Sequence, residues 1–185
     1  MNLYFRFFWL FFKSLFYKNE LTLLDTCTTS FRVNPLDLDI NLHMNNGRYL
    51  SLMDLGRTDL MFRAKVFKKL FFKGYYPVVI SESISFRKSL NLFDSFVIET
   101  KLDAWNEKDF YLLQTFKFQN EVIAEGFIKG RFLKRGVRGS VPTAELFQIL
   151  NLNLPLTKPS ALSEAQNQTD SLLAPRKKTA TAPQA

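Results

Sequence analysis

The chain has few of the residues from which many catalytic centres are built. It contains one cysteine, Cys27, and one histidine, His43, among 185 residues. A single cysteine excludes an internal disulfide, and together with one histidine it leaves no cluster with zinc or iron–sulfur ligand spacing. We therefore expect no metal site and no cofactor, and we interpret Cys27 as a small packing residue in a strand-like segment.

Long apolar runs are also missing from the N-terminal segment, MNLYFRFFWLFFKSLFYKNE, although it is rich in phenylalanine. Its longest stretch without a charge, 7–12, is far shorter than the roughly 20 apolar residues of a membrane span. It also differs from a secretory signal, because Arg6 interrupts the apolar run and bulky Phe16 and Tyr17 end it. We therefore expect neither a bilayer-crossing helix nor an export signal, and a cytoplasmic location.

The same segment, residues 1–20, predicts an amphipathic helix that lies at a membrane surface. Polar or amphipathic side chains recur at steps of three or four and form one stripe: Asn2, Arg6, Trp9, Lys13, Tyr17 and Glu20. A wide aromatic face beside a narrow cationic stripe suits the lipid headgroup boundary, so we expect peripheral membrane contact through residues 3–17. The alternatives are a short tilted insertion, or a helix docked on the domain or on a partner subunit.

Positive charge is in excess, with 25 Lys and Arg against 17 Asp and Glu, which favours anionic partners in general. The RKK cluster at 176–178 is too small to specify nucleic acid, and we expect no nucleic-acid partner. That cluster lies in residues 153–185, whose Ser, Thr, Ala, Gln and Pro content is typical of a disordered tail.

Residues 21–152, between these two ends, are expected to form one α+β domain. The patterns predict a strand at 21–34, a long buried helix from Asn46 to about 66, strands near 78–88, 92–105, 109–119 and 121–134, and a short helix at 143–152. Short joints indicate that the last three strands form an antiparallel meander. Asn45 is a suitable N-cap, and the polar side of the long helix is expected to carry two ion pairs, Asp54–Arg57 and Asp59–Arg63.

A polar cluster, PLDLDINLHMNNGRY at 35–49, precedes the long helix. The stretch DLDINLHMNNGRYLSLMDLGRTDL resembles the 4-hydroxybenzoyl-CoA-thioesterase-like branch of the hotdog proteins, in particular the group of thioesterase superfamily member six and its bacterial relatives. The downstream stretch SFRKSLNLFDSFVIETKLDAWNEKDFYLLQTF is similar to the same group, so the likeness covers roughly residues 21–135. This resemblance implies an α+β hotdog fold, a five-stranded antiparallel sheet wrapped around a long central helix, which the order of elements also fits.

The resemblance implies a thioesterase that hydrolyses acyl-CoA or acyl-carrier-protein thioesters, with at least a homodimer and possible higher oligomers. The acidic residue before the helix corresponds to Asp39, which would act as base or nucleophile at the thioester carbonyl. The backbone N–H of Asn46 would stabilise the oxyanion at the helix N-terminus. The substrate-binding candidates are Gly47, which allows close approach, Arg48 and Tyr49.

A second resemblance, to the plant acyl-carrier-protein thioesterases, concerns the motif Asp-x-Asn-x-His-x-Asn-Asn. It falls here on 39–46 and gives Asn41 and His43 catalytic roles. Those enzymes add a downstream glutamate, whereas this chain has FRKSLN in the corresponding region. The candidates for a second acid are therefore Asp54 and Glu82.

These residues also have structural interpretations. Asp37 and Asp39 suit a turn ahead of a helix, and His43 suits a hydrogen bond to a backbone carbonyl. Asp54 suits an internal salt bridge with Arg57. Two other functions stay open: a non-catalytic acyl-CoA or lipid-binding hotdog protein, and a hotdog hydratase, in whose motif the histidine follows the aspartate by five residues rather than four.

Overall fold

The computed structural model describes residues 2–17, 21–152 and 154. Its helices are α1 (Asn2–Leu15), α2 (Asn46–Arg63), α3 (Val66–Phe71) and α4 (Thr143–Leu150), with a single 3-10 turn at Pro35–Asp37. Its strands are β1 (Cys27–Arg32), β2 (Tyr75–Phe86), β3 (Ser95–Trp105), β4 (Asp109–Phe118) and β5 (Glu121–Lys134). The disordered tail predicted for 153–185 lies outside the described residues, apart from Leu154.

The five strands form one antiparallel sheet in the order β1-β3-β4-β5-β2. Strands β3, β4 and β5 are sequential neighbours, as the short joints predicted. Strand β2 pairs only with β5, from Tyr75 opposite Lys134 to Phe86 opposite Ala124, and so forms one edge of the sheet. The predicted fold class, a five-stranded antiparallel sheet with a long central helix, is confirmed.

Several boundaries differ from those predicted. The first strand occupies only Cys27–Arg32 of the predicted 21–34, and β2 begins at Tyr75 rather than 78. The long helix ends at Arg63, because Lys65 adopts a left-handed backbone conformation with φ 56°. A new helix, α3, then begins at Val66 in a connector for which no helix was predicted; its buried Val66 and Leu70 are spaced four residues apart.

Helix α2 lies against the sheet and carries a large share of the core. The buried residues of this contact come from the helix and from three strands: Tyr49, Leu52, Met53, Leu60, Ile98, Phe116 and Ile128. A Cβ atom added at Gly56 would lie 2.9 Å from Gln114 Nε2 and 3.0 Å from Thr100 Oγ1. Gly56 therefore allows α2 to approach the sheet closely, and a side chain there would push the two layers apart.

Helix α1 docks on the domain and also exposes a broad aromatic face. On the docked side Leu10 is buried, and the rings of Phe7 and Phe11 lie 6.0 and 5.6 Å from that of Phe62 in α2. The outer side consists of exposed aromatic side chains: Tyr4, Phe5, Phe8, Trp9, Phe12 and Phe16. No helix in the described part of the chain is long and apolar enough to cross a bilayer.

The polar stripe predicted for α1 does not form one solvent-facing stripe. Arg6 donates to the side chain of Asp37 at 2.5 Å, and the guanidinium of Arg63 in α2 lies 4.4 Å from the ring centroid of Tyr17. Two members of the stripe therefore face the domain, while Trp9 is exposed; Glu20 lies outside the described residues. The reason is the buried carboxylate of Asp37, which requires a cation that the helical spacing alone does not reveal.

Candidate active site

The polar cluster before α2 folds into a compact turn at residues 38–44, which we call the Asp39 turn. The N–H of Asp39 donates to the carbonyl of His43 at 2.9 Å, and the N–H of Leu42 donates back to the carbonyl of Asp39 at 3.1 Å. Leu38 and Met44 form an antiparallel bridge on either side of them. Asp39, Asn41 and His43 therefore lie together on one short turn.

Asp37 attaches this turn to the rest of the molecule. Its side chain is buried, and Oδ2 accepts the N–H of Asn34 at 2.9 Å as well as the Arg6 guanidinium. Its carbonyl accepts the N–H of Asn45 at 2.8 Å, which brings the turn alongside the first residues of α2. Asp37 was interpreted as a turn residue, and its role as an anchor that reaches α1 was missed.

Asp39 is half-buried, and its Oδ1 accepts the N–H of Asn41 at 2.8 Å. This is an Asx-turn, which fixes the carboxylate relative to the backbone without neutralising its charge. The side chains of Asn41 and His43 are exposed, and His43 is held through its backbone by a bridge to Asn91. Within the motif, Asp39 is therefore the residue that carries a carboxylate and is also partly buried.

The start of α2 leaves one backbone donor open. The side chain of Asn45 caps the helix by accepting the N–H of Gly47 at 2.8 Å, as predicted, and its carbonyl accepts the N–H of Arg48 at 2.8 Å. The N–H of Asn46 has no acceptor among the described residues. An unoccupied N–H at the positive end of an 18-residue helix is a suitable donor to an anion.

The three residues predicted to bind substrate occupy different environments. Gly47 is exposed, and Arg48 donates to the carbonyl of Leu36 at 3.0 Å while its Nε lies 3.9 Å from Asp37 Oδ1. Tyr49 is buried, with its ring centroid 5.0 Å from those of Phe86 and Phe116, and burial raises its pKa. Tyr49 thus packs in the core beneath the turn, whereas Gly47 and Arg48 border it.

The two candidates for a second acid meet at another place, around Arg57. The guanidinium contacts Asp54 and donates to Glu82 Oε1 at 2.9 Å and to Gln114 Oε1 at 3.0 Å. The predicted Asp54–Arg57 ion pair is therefore present. Asp54 follows Asn46 by eight residues, about 12 Å along the helix axis at ~1.5 Å per residue. The structure thus groups Asp54 and Glu82 with a cation, two helical turns from the Asp39 turn.

Gln114, the third partner of Arg57, was not singled out by sequence patterns. Gln114 is fully buried, and its Nε2 donates to the carbonyl of Met53 at 3.0 Å and to Thr100 Oγ1 at 2.9 Å. It therefore joins Arg57 to the sheet and to α2. The signal that could have found it is its position in β4, which places it on the apolar face of the strand: at every second residue it shares that face with Phe110, Leu112, Phe116 and Phe118.

Asp59 was expected on the polar side of α2 in an ion pair with Arg63; the ion pair is present, but the predicted placement is wrong. Its carboxyl group is buried between α2 and β1, where Oδ2 accepts the hydroxyl of Thr29 at 2.7 Å and lies 3.9 Å from Arg63. Burial raises the pKa of Asp59. Burial of the Cys27 thiol, together with the nearby Asp59 carboxyl group, raises the pKa of the thiol to about 12, so it is protonated at neutral pH. The spacing of Asp59 with Leu52, Gly56 and Leu60 would have placed it on the buried face.

Comparison with known proteins agrees with this architecture. The model of the thioesterase-like superfamily matches residues 33–168. Protein THEM6 of Xenopus laevis is 39% identical over 84 residues, 45% of this chain and 41% of that protein. The long-chain acyl-CoA thioesterase FadM of Escherichia coli is 28% identical over 102 residues, 54% of this chain and 77% of that protein.

A solved structure gives the same result for the fold. The probable thioesterase YbaW from Escherichia coli superposes with a TM-score of 0.63 at 24% identity, covering 67% of this chain and 96% of that one. The chain spans about half the length of the THEM6 proteins that it matches. The family model covers most of the domain, from the residue before Asn34 to beyond α4, and the chain therefore belongs to the thioesterase-like superfamily.

Proposed function

We propose that this protein hydrolyses acyl-CoA thioesters at the Asp39 turn. The observation that carries the proposal is the pairing of two features on adjacent segments: a half-buried carboxylate at Asp39 and an open backbone N–H at Asn46. One is a base or nucleophile, and the other is a donor for the oxygen that becomes negative. The hydrogen bond from Asn45 N–H to the Asp37 carbonyl holds the two segments together.

The reaction needs only groups of this site and water. The thioester oxygen accepts the Asn46 N–H, and the α2 dipole favours the charge that develops on it. Asp39 either takes a proton from the attacking water or attacks the carbonyl carbon itself. As a base, Asp39 passes the proton of the attacking water to the thiolate as the C–S bond breaks. As a nucleophile, Asp39 displaces the thiolate and forms a mixed anhydride; the thiolate takes a proton from water, and the resulting hydroxide hydrolyses the anhydride and releases Asp39. In both cases water supplies an oxygen of the product acid. Asn41 and His43, both on the same turn, would orient the water or the carboxylate.

Support for the substrate class comes from the relatives. One is named a long-chain acyl-CoA thioesterase, and a related structure is described as a gentisyl-coenzyme A thioesterase. Coenzyme A is therefore the first carrier to test, with acyl-carrier protein second. The exposed Gly47 and the partly exposed Arg48 border the turn, where they would meet the substrate.

The test is thiol release from acyl-CoAs by the purified protein and by Asp39→Asn. The variant keeps the shape of the side chain and its ability to accept the Asn41 N–H, so we expect folded protein with turnover lost. Asp54→Asn, which removes an exposed carboxylate from the middle of α2, is the matched control and should retain turnover. Equal turnover by Asp39→Asn and the unmodified protein would refute the assignment.

A second candidate function is non-catalytic binding of acyl-CoA or lipid. It is favoured by one observation: Asp54 and Glu82, the candidates for a second acid, are both paired with Arg57, and Asp37, next to the Asp39 turn, is paired with Arg6. Acyl-CoA binding without thiol release by the unmodified protein would establish this alternative. Hydration of an enoyl-CoA would instead indicate a hydratase.

The proposal includes a homodimer. Strand β2 is an edge strand on which Val79 and Ile80 are exposed, and an edge of this kind is commonly paired or covered. We expect a dimer, or a higher oligomer built from it, by light scattering, and a Val79→Lys/Ile80→Lys variant should shift it to the monomer. A monomeric unmodified protein at assay concentration would contradict this part.

The proposal also includes peripheral membrane contact through residues 3–17, on the cytoplasmic side. Trp9 is 70% exposed on the aromatic face of α1, whereas the only other tryptophan, Trp105, is buried. Vesicles with anionic lipids should therefore shift the emission of Trp9 to shorter wavelength. A variant with Phe5, Phe12 and Phe16 changed to Ser should remain in the supernatant when vesicles are pelleted. An unchanged distribution would contradict membrane contact through this face.

A further inference from the structure

A second feature of the domain, remote from the Asp39 turn, is an apolar cavity of about 190 Å³. It lies between the C-terminal half of α2, the sheet, α3 and α4, and we call it the α2–α4 cavity. Its deep walls are buried side chains from each of these elements: Leu60, Val66, Leu70, Leu112, Ile128 and Leu146. Apolar cavities of this kind tend to stay dry and to accept apolar ligands.

The mouth of the cavity is formed by α2 and the edge strand β2. Asp54 and Thr58 line it from the helix, and Pro77 and Val79 line it from the strand. All but Thr58 are exposed, and Thr58 is half-buried. The cavity therefore opens on the side of α2 that the sheet does not cover.

The same uncovered side of α2 leads back to the Asp39 turn. Gly47, Ser51, Asp54 and Thr58 follow one another at steps of three or four, so they lie on one face of the helix, and none of them is buried. The distance from Asn46 to Asp54 and Thr58 is about 12 to 18 Å along the axis. A ligand anchored at the Asn46 N–H must therefore extend along this face before it reaches the cavity.

Three polar side chains that line the cavity, Thr58, Thr143 and Arg57, already have partners within the protein. The hydroxyl of Thr58 donates to the carbonyl of Asp54 at 2.8 Å, and the hydroxyl of Thr143 donates to the carbonyl of Asn106 at 2.6 Å. Arg57 is paired with Asp54 and Glu82. The interior thus suits a hydrocarbon chain better than a hydroxylated ring.

We propose that the α2–α4 cavity receives the distal part of a long fatty acyl chain, and that α4 closes its end and limits the chain length. Two hydrogen bonds hold helix α4 against the sheet: Glu145 accepts the hydroxyl of Tyr75 at 2.5 Å, and the N–H of Thr143 donates to the carbonyl of Glu107 at 3.0 Å. Leu146 and Leu150 point the apolar face of α4 into the cavity wall. The inference rests on the function proposed above, since it takes the Asp39 turn as the place of the thioester.

The test compares two tryptophan variants on the same helix. Leu146→Trp fills the cavity from α4, whereas Gln148→Trp places the same side chain on the exposed outer face. We expect cis-parinaric acid, a fluorescent long-chain fatty acid, to bind the unmodified protein and Gln148→Trp equally. Leu146→Trp should bind it at least about tenfold more weakly, the loss expected when two or more methylenes lose their burial. Thr58→Phe, which blocks the mouth and leaves the deep wall unchanged, should give the same result and serves if Leu146→Trp does not fold.

Hydrolysis separates this inference from the proposed function. The ratio of kcat/KM for palmitoyl-CoA to that for butyryl-CoA should fall at least about tenfold in Leu146→Trp and stay constant in Gln148→Trp. An unchanged ratio together with unchanged parinaric acid binding in folded Leu146→Trp and Thr58→Phe would overturn the inference and leave the proposed function intact. Parinaric acid binding that is sensitive to Leu146→Trp in a protein that hydrolyses no acyl-CoA would support the cavity and refute the proposed function.

Discussion

Carboxylates lie at two places along α2, one beside its start and one beside its middle, and these places differ in what surrounds the charge. At the N-terminal end, Asp39 lies on a turn where its Oδ1 accepts a backbone N–H. In the middle of the helix, Asp54 and Glu82 share the guanidinium of Arg57. A carboxylate that is paired with arginine is a weak base and a weak nucleophile, because the cation stabilises its negative form. Under the function proposed above, Asp39 is therefore the better candidate for the reactive acid, and the Arg57 group is the better candidate for a structural role.

The largest effect is expected when each of these acids is neutralised in turn, which tests which carboxylate reacts. Asp39→Asn should lower kcat/KM at least about 100-fold, since a positioned base or nucleophile commonly contributes 10²- to 10⁴-fold. Glu82→Gln should lower it by a few-fold at most, because Glu82 is bound to Arg57, about three helical turns from the start of α2. Thiol release under saturating and limiting acyl-CoA measures both. A larger loss in Glu82→Gln than in Asp39→Asn would reverse the assignment.

The anchor of the Asp39 turn gives the next effect. Arg6→Met removes the closer of the two guanidinium groups beside the buried carboxylate of Asp37 and leaves Arg48 Nε at 3.9 Å. Breaking a buried pair typically lowers the free energy of unfolding by about 3 kcal/mol, and we expect a loss up to that size. Urea denaturation monitored by circular dichroism measures it. The double variant Arg6→Met/Asp37→Asn should lose less than the sum of the two single variants, because no buried charge is then left alone. Additive losses would show that the pair is not coupled.

The Arg57 group should also respond in stability rather than in catalysis. Arg57→Met removes the partner of the half-buried Glu82 and of the buried Gln114, and we expect the free energy of unfolding to fall by about 2 kcal/mol. Asp54→Asn removes an exposed carboxylate from the same group and should cost under about 1 kcal/mol. The same urea titration compares the two. If Arg57→Met were as stable as the unmodified protein, the group would not be structural.

The contrast between the two regions also shows which structural features could be predicted from the sequence. The main strands, the long helix, the Asn45 cap and the Asp54–Arg57 pair were predicted correctly, because hydrophobic period, capping residues and short helical spacings are local signals. The hotdog arrangement of these elements was predicted from the family resemblance of the stretch at 37–60. The partners of Asp37 and Glu82 were not, since Arg6 and Arg57 lie 31 and 25 residues away along the chain and meet them only in the fold. Asp59 shows the opposite error, where a local spacing with Arg63 suggested a surface pair and tertiary packing buried the carboxyl group instead.

The buried Asp59 provides the smallest effect, which depends on pH. Burial raises its pKa above the ordinary value of 3.8, so the folded protein binds a proton more tightly than the unfolded chain does. Between 3.8 and the raised pKa, the free energy of unfolding therefore falls as pH rises. Asp59→Asn cannot ionise and lacks this decline, so its stability relative to the unmodified protein should improve as pH rises through that window.

Asp25→Asn is the control of opposite sign for that measurement. The N–H and hydroxyl of Thr22 lower the pKa of the exposed Asp25, so its contribution to stability is present above 3.8 and disappears as pH falls. Asp25→Asn should therefore lose stability relative to the unmodified protein as pH rises, while Asp59→Asn gains. Urea midpoints measured from pH 3 to pH 8 distinguish the two trends. Parallel curves for Asp59→Asn and the unmodified protein would show that Asp59 has the same pKa in the folded protein as in the unfolded chain, and would contradict the effect of its burial.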